Sequence, residues 1–177
     1  TTYGIYQIYP SLRNIILIIF ITIIGCDNSD NSGANNYEQP ISVVTSNVNS
    51  GDIFLNLEIG NEVTPDNNWH LSIVTDSANY NMPSIVFGEA NVAVYQNISF
   101  DALVEIPVDF SSMIVNNQTF EYGGANEILS YDITIHKVSV SDSDRVYVLS
   151  FDNGQNLFKL QFMEYQSGIT VIQYNSL

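Results

Sequence analysis

Basic residues are nearly missing from this chain: four lysines and arginines stand against 19 aspartates and glutamates in 177 residues, a formal net charge of −15. A surface so acidic repels phosphate backbones and anionic headgroups, which argues against nucleic-acid partners and against attachment to a membrane through a basic patch. Cysteine is almost absent too. Cys26 stands alone, so no intramolecular disulfide is available and zinc lacks its usual thiolate set. Histidine occurs only as His70 and His136, far apart in the sequence. No Gly-x-Ser-x-Gly, P-loop or His-Glu-x-x-His pattern is present. With so few groups to serve as base, nucleophile or oxyanion donor, the chain is expected not to be an enzyme. Acids such as Asp142 and Asp144 read as solvated turn residues, and the spacing around them is not that of an EF-hand calcium loop.

Long apolar runs are also missing, with one exception. Arg13-Asn14 is followed by an unbroken stretch from Ile15 to Ile24 in which only Thr22 is polar. Ten residues fall short of the roughly 20 that a helix needs to cross a bilayer, but they suit the apolar region of a signal peptide. The stretch ends in Ile23-Ile24-Gly25-Cys26, where a small residue precedes a thiol that can accept a diacylglyceryl group. Residues 1–25 are therefore expected to be a lipoprotein signal peptide, cleaved before a lipidated Cys26. From Asp27 to Asn36 almost nothing can enter a core, so residues 26–39 read as a flexible tether. Cleavage would remove Arg13 and no acid, leaving Lys137, Arg145 and Lys159 as the only bases. Lipid on Cys26 must then hold the protein to its membrane, and several acyl chains do so stably where one does not.

What the chain has in abundance is β-branched and aromatic residues. Residues 40–177 alternate short runs of Val, Ile, Phe and Tyr with clusters of Asn, Asp, Ser and Gly, the punctuation of strands and turns in a single domain. Strands are expected at Ile41–Val44, Ile53–Ile59, Leu71–Val74, Ser84–Phe87, Val92–Tyr95, Phe120–Tyr122, Ile128–Ile135, Arg145–Phe151, Leu157–Tyr165 and Ile169–Tyr174. Asn153-Gly154 between two β-rich runs suggests a tight hairpin, and Gly168 lies in a second turn. The expected fold is all-β with mostly antiparallel sheets, a C-terminal three-strand meander and at most a short helix near residues 100–105, where Ser99 or Asp101 offers a cap ahead of Pro107. Nine Phe, eleven Tyr and one Trp supply a core, and also walls for a large flat apolar ligand.

The C-terminal half resembles a known family. Asp144-Arg145-Val146-Tyr147-Val148-Leu149-Ser150-Phe151-Asp152-Asn153-Gly154, then Lys159-Leu160-Gln161-Phe162, then Gly168-Ile169-Thr170-Val171-Ile172-Gln173-Tyr174, is similar in order and spacing to the end of the HmuY-like lipoproteins. Trp69, followed by Leu71, Ser72, Ile73 and Val74, looks like that family's Trp-Asp-x-Ala strand. The resemblance covers roughly Trp69 to Tyr174. It implies a mostly β protein, lipid-anchored on the bacterial outer membrane and facing outward, that binds haem without catalysis and works beside an outer-membrane haem transporter.

It also implies two axial ligands for the iron, His in some members and Met in others. Here the chain departs from the pattern. His70 stands where the family has Asp after its Trp, and the expected ligand positions fall on Val74 and near Ile106, which cannot bind iron. Met82 and Met113 are the alternative pair, since thioethers ligate haem iron, although Met also fills gaps in cores. His70 is a third candidate, while His136, next to Lys137, reads as solvent-facing.

Overall fold

Alternating side-chain direction divides the strands of this computed structural model into two packed sheets. The structure describes residues 39–77 and 80–177. The expected signal peptide, Cys26 and all of the expected tether but its last residue lie outside the described residues. In chain order the strands are β1 (Ile41–Val44), β2 (Ile53–Asn56), β3 (Asn61–Val63), β4 (Leu71–Asp76), β5 (Met82–Phe87), β6 (Asn91–Tyr95), β7 (Leu129–Asp132), β8 (Lys137–Val140), β9 (Val146–Phe151), β10 (Asn156–Gln166) and β11 (Ile169–Ser176). One turn of α-helix, α1 (Phe110–Met113), interrupts them. A five-stranded sheet runs β1-β11-β10-β9-β6, a four-stranded one β3-β2-β4-β5, and β7-β8 form a separate hairpin. Every pairing between these strands is antiparallel. The fold is all-β, and β9, β10 and β11 form the C-terminal meander.

The two larger sheets share one core. Leu55, Leu71, Ile73 and Phe87 meet Tyr147, Leu149, Leu160, Phe162 and Tyr174, all buried. Phe87 bridges the layers, with ring centroids 5.8 Å from Tyr147 and 6.2 Å from Phe162. A second, smaller core lies on the opposite face of the five-stranded sheet. There Val146 and Val148, one residue out of step with Tyr147 and Leu149, pack with Ala93 and Tyr95 against Phe100, Leu103 and Phe110 of the crossover after β6. Strand β9 is thereby buried along its whole length, which accounts for its nearly continuous apolar run.

Lys159 fastens this crossover. It pairs with Val148 in register, and its buried ammonium donates to the carbonyls of Phe100 and Leu103 at 2.7 and 2.8 Å while standing 4.3 Å from the Phe100 ring centroid. Tyr95 adds a hydroxyl bond to Asp109 at 3.2 Å. Burial first, and Asp109 second, push that phenol up to about 12.

Three strand expectations are corrected by local hydrogen bonding, and the allowance of at most a short helix near residues 100–105 is narrowed to a turn. Residues 100–105 form only a turn, in which Ser99 caps the Ala102 amide; the α-helical turn comes after Pro107, not before it. Phe120–Tyr122 is not a strand, because the Asn116 side chain caps a 3-10 turn over Asn117–Phe120. The run Ile53–Ile59 stops at Asn56, whose side-chain oxygen accepts from the Glu58 amide at 2.9 Å and turns the chain. Ile128–Ile135 is likewise cut at Asp132, whose carboxylate takes the Thr134 amide at 2.7 Å and starts the loop to β8.

Candidate functional site

An open cleft of about 650 Å³ lies beside β5, at the edge of the four-stranded sheet, and is bounded on its other side by β7. That size falls within the range of small-molecule sites. Its floor is the main core itself: Phe120, Ile128 and Leu129 are buried, and Phe120 meets Phe87 edge-on at 5.2 Å. One wall is Met82, Pro83, Ser84 and Ile85 of β5, with Asp76 and the exposed Tyr80 at the turn before it. Glu121 and Tyr122 extend from the 3-10 turn, and Tyr131 comes from β7, two residues from Leu129 and so on the same face of the strand.

Two tyrosines are fixed by hydrogen bonds. Tyr122 donates its hydroxyl to the Pro83 carbonyl at 2.8 Å, tying the 3-10 segment to β5, and burial pushes its phenol well above the ordinary value. Pro83 has no amide hydrogen to offer a neighbouring strand, which suits its place on this edge. Tyr131 has its hydroxyl 2.6 Å from Nδ1 of His136. His136 closes the β7–β8 loop with φ of 51°, a left-handed conformation that brings its ring back beside Tyr131.

The three expected ligands are not brought together. Met82 lines the cleft, half-buried at the start of β5. Met113 sits on α1, next to the Ile114 bridge to β6, and takes no part in the lining. His70 lies at the far end of the β4–β5 hairpin: it precedes Leu71, which pairs with Phe87, whereas Met82 pairs with Asp76. At about 3.3 Å per residue, the length of β4 puts the two roughly 20 Å apart. His70 is buried, accepts the Leu57 amide on Nδ1 at 3.2 Å, and packs edge-on against Phe151 and Phe158. Burial lowers its pKa, against the opposing pull of Glu58 and Asp152. Among the described residues, no cluster of His, Cys, Asp or Glu forms a metal centre. At Asp142-Ser143-Asp144 the Asp142 carboxylate instead caps the Asp144 amide and lies 3.6 Å from Arg145.

Sequence reasoning missed the Tyr131 and His136 pair. The only signal for it was a tyrosine inside, and a histidine just past, the run Ile128–Ile135 that reads as one strand and in fact turns after Asp132.

Fold and cleft together define a two-sheet β protein with an open groove lined by aromatic residues and Met82. Comparison with known proteins takes the assignment no further, since no family profile, no curated protein and no solved structure matches the chain.

Proposed function

We propose that this protein is a lipid-anchored, non-catalytic binding protein that holds haem or a related porphyrin in the β5–β7 cleft for uptake, in the manner of the HmuY-like lipoproteins it resembles. The observation that carries the reading is the cleft's composition, in which a thioether, three tyrosines and aliphatic side chains line a groove floored by rigid core. Flat apolar ligands suit such walls, and Met82 offers a soft axial ligand from β5. Asp76 and Glu121 line the cleft as well, so haem propionates are expected to point outward, away from this acidic wall. In this reading lipid on Cys26 places the domain on the outer membrane beside a haem transporter.

Those two carboxylates favour one rival. Exposed tyrosines beside acids also suit a glycan, stacked on the rings and hydrogen-bonded through its hydroxyls. Titration of the full chain in detergent with ferric and ferrous haem separates the two. A sharpened Soret band is expected, with Met82→Ala weakening ferrous haem about tenfold, or about 1.4 kcal/mol, and Met113→Ala leaving it unchanged. No band in either oxidation state would sink the haem reading and leave the glycan one.

A further inference from the structure

The two larger sheets end in β1 and β6 on one side of the sandwich core and in β3 and β5 on the other. Native sheets blunt such edges, because a row of unpaired backbone groups is a template for another chain. β6 is bridged through Ala93 and Ile114, and its Val92 carbonyl accepts the Val115 amide. β5 carries Pro83, whose carbonyl is taken by Tyr122, and β3 is a short strand with Glu62 at its centre. β1, from Ile41 to Val44, has neither a proline, nor a charge, nor a bulge. We propose that β1 is a homodimer contact, at which two copies of this chain pair antiparallel about a two-fold axis into one continuous sheet. What the cleft binds has no bearing on it.

The printed hydrogen bonds fix which groups are free. The Thr45 amide donates to the Thr170 carbonyl at 3.0 Å, so Thr45, Val43 and Ile41 turn their backbone groups toward β11. Ser42 and Val44, both exposed, turn theirs outward. This open window is closed at each end: Pro40 has no N–H, and the outward Ser46 amide is already held by the Glu62 carboxylate. Only one symmetric register pairs every N–H and C=O in the window. It sets Ser42 opposite Val44 of the second copy, with the two Val43 residues facing each other across the axis.

Charge selects the partner. Copies that each carry −15 repel one another, yet no charged residue occurs at 39–51 or 165–177, the stretches that hold β1 and β11. In this register the two Ser46–Glu62 contacts fall at opposite ends, roughly 20 Å apart by strand rise, against a screening length of about 8 Å at physiological salt. Pairing also covers part of Val44 and Ile41, which are 66% and 46% exposed. So small a contact buries far less than the roughly 1,200–2,000 Å² of stable complexes, so the dimer is weak and forms at high local concentration.

The full chain in excess detergent is followed by sedimentation from micromolar to millimolar concentration, where a concentration-dependent dimer is expected. Val44→Pro removes an outward N–H and no bond to β11, so it should weaken the dimer about tenfold or more while leaving circular dichroism and the urea midpoint nearly unchanged. With Cys26→Ala leaving no other thiol, Val43→Cys should form a disulfide-linked dimer in oxidised glutathione, because the two positions stand directly opposite in a non-hydrogen-bonded pair. Ile135→Cys, exposed on the β7–β8 loop, should not. Cross-linking of both would show association through the micelle, and a Val44→Pro protein that dimerises like the wild type would place the contact elsewhere; either overturns the proposal. A wild type that stays monomeric throughout overturns it too. Protection of the Ser42 and Val44 amides from hydrogen exchange would then give the edge to another segment of the same chain, and fast exchange would leave it to solvent.

Discussion

The imidazole of His70 lies edge-on between Phe151 and Phe158 and takes the Leu57 amide hydrogen on Nδ1, so a second proton would turn that acceptor into a donor facing a donor. Burial accordingly lowers its folded pKa below the ordinary 6.5, the nearby Glu58 and Asp152 only partly offsetting it. The sign follows from proton counts. Between the folded value and 6.5 the unfolded chain binds more protons than the folded one, so stability rises with pH there. The contribution is complete above 6.5 and is lost as pH falls through the folded value. Urea unfolding between mildly alkaline and mildly acidic pH should show the wild-type midpoint falling more steeply than that of His70→Leu, which cannot titrate. Parallel profiles would show that this proton is not felt by the fold. The same packing explains why a histidine that follows Trp69, attractive as a ligand in the sequence, serves the core instead.

At the scale of elements, the turn joining β10 to β11 is tightly constrained. Ser167 and Gly168 occupy its two central positions with φ of 52° and 92°, the left-handed pair that a two-residue hairpin needs. The Ser167 carbonyl accepts from the Asn47 and Asn49 side chains at 3.0 and 3.3 Å, which brings the segment after β1 against the turn. A Cβ on Gly168 would run into the Asn47 carboxamide and lie 2.5 Å from the Asn49 side-chain nitrogen. Gly168→Ala should therefore cost about 2 kcal/mol, combining backbone strain with overpacking. Gly154, in the loop between β9 and β10, also has positive φ but open space around it, so Gly154→Ala should cost only about 1 kcal/mol, from strain alone. Equal losses in urea midpoint would refute the role given to the asparagines. This turn and the meander around it were legible in the sequence because alternation and Gly168 act locally. The breaks at Asn56 and Asp132 were not, because a single side chain caught a backbone amide inside an otherwise β-like run. The cleft was legible only through Met82. Its walls come from two stretches far apart in the sequence, residues 76–85 and 120–131, and no local pattern announces that β5 and β7 will face each other.

For the molecule as a whole, charge decides how it is held. Only Lys137, Lys159 and Arg145 among the described residues are basic, and two of these are committed: Lys159 to the crossover carbonyls, Arg145 to the Glu127 carbonyl at 2.9 Å. A domain with no free cationic patch gains nothing from anionic headgroups, and among the described residues no helix is long and apolar enough to cross a bilayer. If lipid on Cys26 is the anchor, attachment must be insensitive to salt, because the Debye length shortens from about 10 Å at 0.1 M to 3 Å at 1 M without touching acyl-chain insertion. In an exporting bacterial host, the wild-type chain should stay with the membrane fraction at both salt concentrations. Cys26→Ala should lose the lipid, and any of it that is processed and exported should appear in the soluble fraction at both. Retention of the variant at low salt with release at high salt would reveal an electrostatic contact that this charge distribution excludes, and a wild type freed by salt would remove the lipid from the account altogether.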